Sequence, residues 1–132
     1  MIVGLGTDIV EIQRIQDAVE RWGNHFLKRV FTAEERSYCM DSKKNPYPHL
    51  AARFAAKESA IKALTPLRTP GERAPNLTDI EIVNDAAGRP HMRLHGPVQA
   101  VLKNHMLLVS LSHEKHYAVA TVVLARTDPQ TV

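Results

Sequence analysis

Residues 53–64 read RFAAKESAIKAL, and this stretch is typical of an α-helix that carries a carboxylate on its apolar side. At about 100° per residue, Glu58 shares a stripe with Lys62 and with apolar or small residues, namely Ala51, Phe54, Ala55, Ile61 and Thr65. An ionised carboxylate that is buried without a partner is costly or takes up a proton. We therefore expect a cation beside Glu58, either Lys62 or a metal ion, with a solvated Glu58–Lys62 ion pair as the simpler alternative.

Residues 1–10 are predicted to form a buried strand, because apolar and β-branched residues alternate there with small ones. Apolar side chains at helical spacing from Ile12 onward indicate that a helix begins near Val10 or Glu11. Asp8 is therefore expected at the end of the strand, where the backbone can hold its carboxylate in place. The same position also suits an N-cap of the following helix, and this alternative stays open.

The segment between this first helix and residue 76 is predicted to contain two more helices and two loops. Thr32 and Glu35 have the spacing of a capping box, which opens a short helix. The stretch 41–48 is expected to be a loop, with Pro48 in the first turn of the helix quoted above. Residues 65–76 contain three prolines and a glycine and are predicted to form a loop.

After residue 76 the pattern becomes that of β-strands. The predicted elements are a hairpin at 80–94, a short helix at 97–105, and strands at 107–111 and 117–124. Because helices come first and strands are mostly late, the predicted class is α+β with a largely antiparallel sheet. We expect one domain over residues 1–125 and a frayed tail at 126–132.

The composition is that of a globular domain, with 132 residues of which 44% are hydrophobic and 23% charged. No apolar run approaches the ~18 residues of a membrane span, and the N-terminus lacks the basic segment of a signal peptide. The lone Cys39 allows no internal disulfide and is expected to be an ordinary thiol in a reducing cytoplasm. The net charge of +3 suits phosphate-bearing or acidic partners.

Asp8 and Glu58 together suggest a site for a hard cation. Mg²⁺ binds one or two protein carboxylates, keeps several waters and takes its remaining ligands from substrate phosphates. Basic residues that are candidates for contacts with phosphate oxygens are Lys43, Lys44, Arg53, Lys57 and Lys62. The stretch Ser110–His113, at the end of a predicted strand, is a further candidate for phosphate binding, with a polar turn as its alternative reading.

Three motifs in this chain resemble those of the holo-acyl-carrier-protein synthases, the short bacterial 4′-phosphopantetheinyl transferases. They are GLGTDIVEIQRI at 4–15, RFAAKESAIKAL at 53–64 and SLSHEKHYAVA at 110–120, in the order and near the spacing of that family. The resemblance covers about residues 1–125. It implies a 4′-phosphopantetheinyl transferase-like fold in a single half that forms homotrimers, with coenzyme A held between neighbouring subunits.

The resemblance also implies a reaction. The phosphopantetheine arm of coenzyme A would pass to a serine hydroxyl of apo acyl carrier protein, in fatty acid biosynthesis, and adenosine 3′,5′-bisphosphate would be released. Asp8 and Glu58 would bind Mg²⁺, for which Mn²⁺ can substitute, and Lys62 would stabilise charge on the leaving phosphate. The proton acceptor stays open between Glu58 and a metal-bound water, and we favour the water because Glu58 already serves as a ligand.

The resemblance further distributes binding roles. Ser112 and His113 would lie near the phosphates of coenzyme A, and Arg53 and Lys44 near its nucleotide end. The carrier protein would meet the first helix through two arginines, Arg14 and Arg21.

Two other functions remain as alternatives to the transferase. A non-catalytic phosphate-binding module would bind coenzyme A without modifying a carrier protein. A nucleic-acid-binding domain would show steep dependence on salt, but aromatic residues at 5% and the lack of a basic stripe argue against it. We expect neither nucleic acid nor a membrane as partner.

Overall fold

The computed structural model describes residues 1–127, which form strands, α-helices and shorter helical turns. The strands are β1 (Ile2–Glu11), β2 (Ile80–Asn84), β3 (Pro90–Leu94), β4 (His105–His113) and β5 (Tyr117–Arg126). The α-helices are α1 (Ile12–Trp22), α2 (Asn24–Val30), α3 (Ala33–Arg36) and α4 (Tyr47–Leu64). A π-helical turn covers Ser37–Asp41, and 3₁₀ segments cover Thr65–Leu67, Leu77–Asp79 and Gly96–Lys103. The predicted α+β class is confirmed.

The strands form two antiparallel sheets, one with the order β1-β5-β4 and one made of the hairpin β2-β3. The first strand pairs with the last, so that Asp8 lies opposite Ala120. In turn β5 pairs with β4, with His113 opposite Ala118. Strands β1 and β4 are therefore the two outer strands of the larger sheet, and β5 separates them.

Helix α4 lies directly on the backbone of β1. A Cβ atom at Gly6 would come within 1.9 Å of the Ser59 carbonyl oxygen, and one at Gly4 within 1.9 Å of the Ala63 carbonyl oxygen. Only glycine permits such an approach. The Ser59 hydroxyl also donates to the Ala120 carbonyl oxygen at 3.1 Å, which ties the helix to β5.

A buried ion pair joins α4 to α3. The Lys57 Nζ lies 2.7 Å from Glu35 Oε1, and both side chains are fully buried. Nζ also donates to the carbonyl oxygens of Leu77 and Ile80, at 2.8 and 2.5 Å. Burial lowers the pKa of Lys57, and the Glu35 carboxylate opposes part of that shift. The expectation that Lys57 contacts a phosphate is therefore contradicted, because its ammonium donors are all used inside the protein.

The predicted capping box at the start of α3 is confirmed. The Thr32 N–H donates to Glu35 Oε1 at 2.9 Å, and the Glu35 N–H donates back to Thr32 Oγ1 at 3.2 Å. The other carboxylate oxygen of Glu35 accepts from the Ile82 N–H at 2.7 Å. A residue that looks like an ordinary helix cap thus also holds strand β2 and the buried ammonium group of Lys57.

Several predicted boundaries shift in the structure. Strand β1 continues to Glu11, which is the residue before α1, so Asp8 lies within a strand and the N-cap alternative is wrong. The short helix expected at 97–105 is a 3₁₀ segment. Strand β5 reaches Arg126, one residue into the predicted tail, and residues 128–132 of that tail lie outside the described residues.

The single cysteine was expected to be an ordinary thiol. Cys39 is fully buried, and burial raises the pKa of its thiol to about 11, so it stays protonated and unreactive near neutral pH. None of the helices within residues 1–127 combines the length and apolar character that a membrane span requires.

Replacing Lys57 with methionine is expected to lower the free energy of unfolding by about 3–5 kcal/mol, since it leaves the Glu35 carboxylate buried without its cation. Urea unfolding followed by circular dichroism measures the change. The matched control is Lys28→Met, because Lys28 is exposed and its replacement should change stability by less than about 0.5 kcal/mol. Equal stability of the two variants would contradict a structural role for the ion pair.

Candidate active site

Asp8 and Glu58 line one pocket of about 280 Å³ at the β1 edge of the larger sheet. The remaining lining residues come from β1, α1, α2 and α4, namely Ile9, Val10, Arg14, Ile15, Ala18, Phe26 and Phe54. The sequence predicted the two carboxylates on different elements, a strand and a helix, and gave no evidence from packing that these elements meet. The structure brings them together because α4 packs against the backbone of β1.

Glu58 is half-buried, which differs from the expectation of a carboxylate enclosed by an apolar stripe. Helix α4 has no single apolar face, because eleven of its 18 residues are buried, including Arg53 and Lys57. Since successive helical residues differ by about 100°, the anchoring of Lys57 in the interior turns Glu58 toward the pocket. The buried charge on this helix is therefore the lysine one position earlier.

Lys62 neutralises Asp8 and not Glu58. Its Nζ lies 3.2 Å from Asp8 Oδ1 and donates to the Thr7 carbonyl oxygen at 2.9 Å. The side chains of Lys62 and Asp8 are 53% and 23% exposed. The Glu58–Lys62 ion pair is not formed, and within residues 1–127 no hydrogen bond or ion pair reaches the Glu58 carboxylate. The pocket thus presents two carboxylates, of which Asp8 is paired with Lys62 and Glu58 has no partner among the described residues.

The donor set of this pocket fits Mg²⁺ and does not fit a metal that is held by protein ligands alone. Nowhere in the described chain do three or more His, Cys, Asp or Glu side chains cluster in a way that would hold a metal. Two carboxylates supply hard oxygen ligands, and Glu58 has no competing partner. Mg²⁺ commonly completes such a shell with water and substrate phosphates.

A second cleft, of about 300 Å³, lies at the β4 edge of the sheet. Its lining includes Arg53, Ser110 and His113, together with three residues that the sequence did not single out, Tyr38, His49 and Asn84. The rings of His49 and His113 meet edge to face at 5.4 Å, and those of Tyr38 and His49 at 6.1 Å. Of these three, His49 could have been found from the sequence, because it precedes Arg53 by one helical turn and therefore lies on the same side of α4.

Arg53 is a buried guanidinium without a carboxylate. Only 3% of the residue is exposed, and it makes two long hydrogen bonds, 3.4 Å to the His49 carbonyl oxygen and 3.5 Å to Asn84 Oδ1. Its Nε has no hydrogen-bond partner within the described structure. The guanidinium stacks on the Tyr38 ring at 4.3 Å, and Lys43 Nζ lies 4.7 Å from the same ring. These unsatisfied donors suit an anion.

The charges around this second cleft also favour the binding of an anion. No carboxylate occurs among the described residues that line it. Burial lowers the pKa of His49, and Lys43, His113 and Arg53 lower it further by repelling a proton. A phosphate bound here would relieve that repulsion.

Two predicted phosphate contacts lie elsewhere. Lys44 is exposed and does not line the cleft, whereas its neighbour Lys43 reaches Tyr38. Ser112 is exposed at the end of β4, opposite Val119, on the face of the sheet away from α4. Of the strand-end pair Ser112 and His113, the histidine alone enters the cleft of its own chain.

The surface of α1 carries the two predicted carrier-binding arginines. Arg14 lines the pocket that contains the carboxylates. Arg21 stacks on Trp22, with its guanidinium carbon 4.9 Å from the ring centroid. Trp22 is 54% exposed, so its ring lies at the surface of the protein.

The side of the larger sheet that faces away from α4 carries several exposed apolar residues, and we call it the outer sheet face. The exposed apolar residues are Leu5, Ile9, Met106, Leu108 and Val119, and a polar row of Thr7, Thr121 and Ser110 crosses the face between them. Leu5 and Ile9 are 66% and 65% exposed, and Leu108 is 52% exposed. Several exposed apolar residues on one face of a sheet often mark an interaction surface.

Comparison with known proteins gives one consistent result. Residues 4–122 match the 4′-phosphopantetheinyl transferase superfamily. A holo-[acyl-carrier-protein] synthase of Protochlamydia amoebophila is 43% identical over 123 residues, which cover 93% of this chain and 98% of that protein.

Solved structures agree. The holo-[acyl-carrier-protein] synthase from Neisseria meningitidis superposes with a TM-score of 0.82 at 32% identity, covering 96% of this chain and 100% of that one. The synthase from Bacillus anthracis in complex with CoA (3′,5′-ADP) superposes with a TM-score of 0.76 at 34% identity, covering 96% of this chain and 98% of that one.

Proposed function

Since the chain belongs to the 4′-phosphopantetheinyl transferase superfamily, we propose that it transfers the 4′-phosphopantetheine group of coenzyme A to a serine hydroxyl of apo acyl carrier protein, in fatty acid biosynthesis. The observation that carries this proposal is the pocket shared by Asp8 and Glu58, in which Glu58 has no partner. Adenosine 3′,5′-bisphosphate is the second product. The serine oxygen bonds to the β-phosphorus, and the bond from that phosphorus to the bridging oxygen breaks.

Asp8 and Glu58 would hold Mg²⁺, or Mn²⁺ in its place. When bound, the ion neutralises the pyrophosphate and acts as a Lewis acid. Lys62 is suited to stabilising charge on the leaving phosphate, because its half-exposed ammonium group is held beside Asp8. A water molecule beside Glu58 would accept the serine proton, since Glu58 itself would serve as a metal ligand.

Coenzyme A would use the second cleft for its nucleotide end. Arg53 offers a guanidinium without a carboxylate, and His113 and His49 lie in the same cleft. Lys44, exposed in the loop before α4, would reach the nucleotide from outside, and Ser112 would contact a phosphate only from the outer sheet face.

We propose a homotrimer whose active sites lie between subunits. The carboxylate pocket is at the β1 edge and the Arg53 cleft is at the β4 edge, with β5 between them. One chain therefore offers two half-sites that face different directions. The exposed apolar residues of the outer sheet face would supply the contact surface that brings the half-sites of neighbouring subunits together.

The carrier protein would approach the carboxylate pocket across α1. Arg14 lines that pocket, and Arg21 and Trp22 form an exposed cation–aromatic pair further along the helix. Complementary charge with an acidic carrier mainly speeds the encounter, while Trp22 offers apolar contact area. The free buried Cys39 is compatible with action in the cytoplasm, where we place the enzyme.

The deciding experiment mixes the protein with coenzyme A, Mg²⁺ and apo acyl carrier protein and weighs the carrier by mass spectrometry. We expect the carrier to gain the mass of one phosphopantetheine group, and chelation of the metal to stop the reaction.

Glu58→Gln and Asp8→Asn should each lower the rate at least about 100-fold, since each removes a ligand charge. Glu11→Gln, at an exposed glutamate on the same strand as Asp8, is the control and should retain full activity. Full activity of Glu58→Gln would exclude the metal role, and coenzyme A binding without carrier modification would favour a binding module.

Mixed oligomers test whether the half-sites belong to different subunits. Glu58→Gln and Arg53→Gln should each be weakly active alone, whereas co-expressed and purified as mixed oligomers they should regain activity. Each mixed interface can combine an intact carboxylate pocket from one chain with an intact Arg53 cleft from the other. The control mixture of Glu58→Gln with Asp8→Asn damages the same half-site twice and should stay inactive. Recovery in both mixtures, or in neither, would contradict a shared site.

The outer sheet face is tested by Leu5→Arg, which places a charge among exposed apolar residues. Sedimentation equilibrium should then give the mass of one chain in place of three, with a circular dichroism spectrum close to that of the unchanged protein. Met40→Arg is the control, because Met40 is an exposed apolar residue on the π-helical turn, away from the sheet. A trimer of Leu5→Arg, or a single-chain mass for the unchanged protein, would contradict the proposed assembly.

A further inference from the structure

A third pocket, of about 540 Å³, is larger than either of the clefts above and has no role in the proposed reaction. It lies beyond the C-terminal end of α4, between the segment 65–79 and the 3₁₀ helix Gly96–Lys103. Its apolar walls come from Leu64, Leu67, Pro75, Val98 and Val101. Pockets that bind small molecules usually fall within about 300–1,000 Å³ and are mostly apolar with a few polar groups.

The walls of this pocket are held by specific hydrogen bonds. The His95 N–H donates to the Asp79 carbonyl oxygen at 2.8 Å, which joins the two sides. On the 65–79 side, the Thr69 N–H and hydroxyl both donate to Glu72 Oε1, at 3.1 and 3.0 Å. The Arg68 Nη2 donates to the Glu72 carbonyl oxygen at 2.8 Å. The pocket is therefore formed by an organised turn.

Arg68 gives the pocket an unsatisfied donor. Its Nε is shielded from solvent and has no hydrogen-bond partner within residues 1–127. A shielded donor without an acceptor is uncommon and calls for an explanation. A small rotation of the side chain would present this N–H, together with the exposed part of the guanidinium, to a ligand in the pocket. Arg73 lines the same pocket and adds a second positive charge.

Two acidic residues, Glu72 and Asp79, also line the pocket. The Glu72 carboxylate accepts from Thr69, which lowers its pKa. The Asp79 carboxylate packs over Gly96, where an added Cβ would come within 3.2 Å of Oδ1. The lining therefore holds two arginines and two carboxylates, and its buried donor without a partner in the described chain is Arg68 Nε.

We propose that this pocket binds an amphipathic carboxylate, a straight-chain aliphatic acid of medium length. The chain packs against the apolar walls, and the carboxylate accepts hydrogen bonds from Arg68. The pocket shares no lining residue with the carboxylate pocket or the Arg53 cleft. Along α4, Leu64 lies about 9 Å beyond Glu58, so the ligand occupies a place other than the reaction site.

Calorimetric titration with decanoate, kept below its micelle concentration, tests the proposal on the full chain. Two further probes separate the contributions, decanol for the chain without charge and acetate for the charge without chain. We expect decanoate to bind at least tenfold more tightly than either probe. Saturating coenzyme A should leave decanoate binding unchanged, whether or not the protein transfers phosphopantetheine.

Matched variants locate the binding site. Arg68→Met should weaken decanoate binding at least tenfold and leave decanol unchanged, while Arg89→Met, at an arginine exposed in the hairpin turn, should change neither. Ala100→Trp fills the pocket and should abolish binding of decanoate, whereas Gln99→Trp, at the neighbouring exposed residue outside the lining, should not. Melting curves verify that each variant is folded.

Three results would overturn the proposal. The first is decanoate binding no tighter than decanol or acetate. The second is equal binding by Ala100→Trp and Gln99→Trp, which would place the acid elsewhere, such as on the outer sheet face. The third is displacement of decanoate by coenzyme A, which would assign the pocket to the coenzyme.

Discussion

Helix α4 can adopt only one rotation about its axis, because Lys57 must reach Glu35 in the interior. An ammonium group buried at any other angle would lose its carboxylate and both carbonyl partners. This constraint orients every functional side chain of the helix. Glu58 is turned about 100° away, toward β1, and Arg53, one turn earlier, lies on the side of Lys57 and faces the cleft at β4. A structural ion pair thus sets the directions in which Glu58 and Arg53 project.

Local sequence patterns predicted much of the fold, but they did not predict that Lys57, and not Glu58, is buried on α4. The capping box at Thr32 and the hairpin over residues 80–94 are encoded by residues close together in sequence, and both were predicted. Helical periodicity failed for Glu58, since alanines occupy most sides of α4 and leave no single apolar face to recognise. The partner of Lys57 lies 22 residues earlier, where Glu35 has the appearance of an ordinary cap. Long-range pairing of this kind has no local signal.

In the site, too, local sequence patterns predicted some residues, whereas contacts between residues far apart in the sequence were not predicted. Asp8 and Glu58 could be proposed as a pair, because Asp8 follows a predicted strand and Glu58 lies among apolar residues of a predicted helix. The close packing that Gly4 and Gly6 permit explains why the two side chains line one pocket. The aromatic and imidazole lining of the Arg53 cleft was not predicted, because Tyr38 and Asn84 come from separate elements. Nor could the sequence indicate that the two clefts lie at opposite edges of a sheet, since that depends on β5 lying between β1 and β4.

The pairing of β1 with β5 also has a consequence for biosynthesis. Asp8 lies on the first strand, yet that strand is held by residues more than a hundred positions later, with Asp8 opposite Ala120. Contacts between such distant residues form slowly, because a long loop must close first. While the chain is being translated, β1 has no strand to pair with until β5 has left the ribosome. Nearly the whole chain must therefore be synthesised before β1 can take its place in the sheet, and in the meantime this first strand is exposed to chaperones or to mispairing.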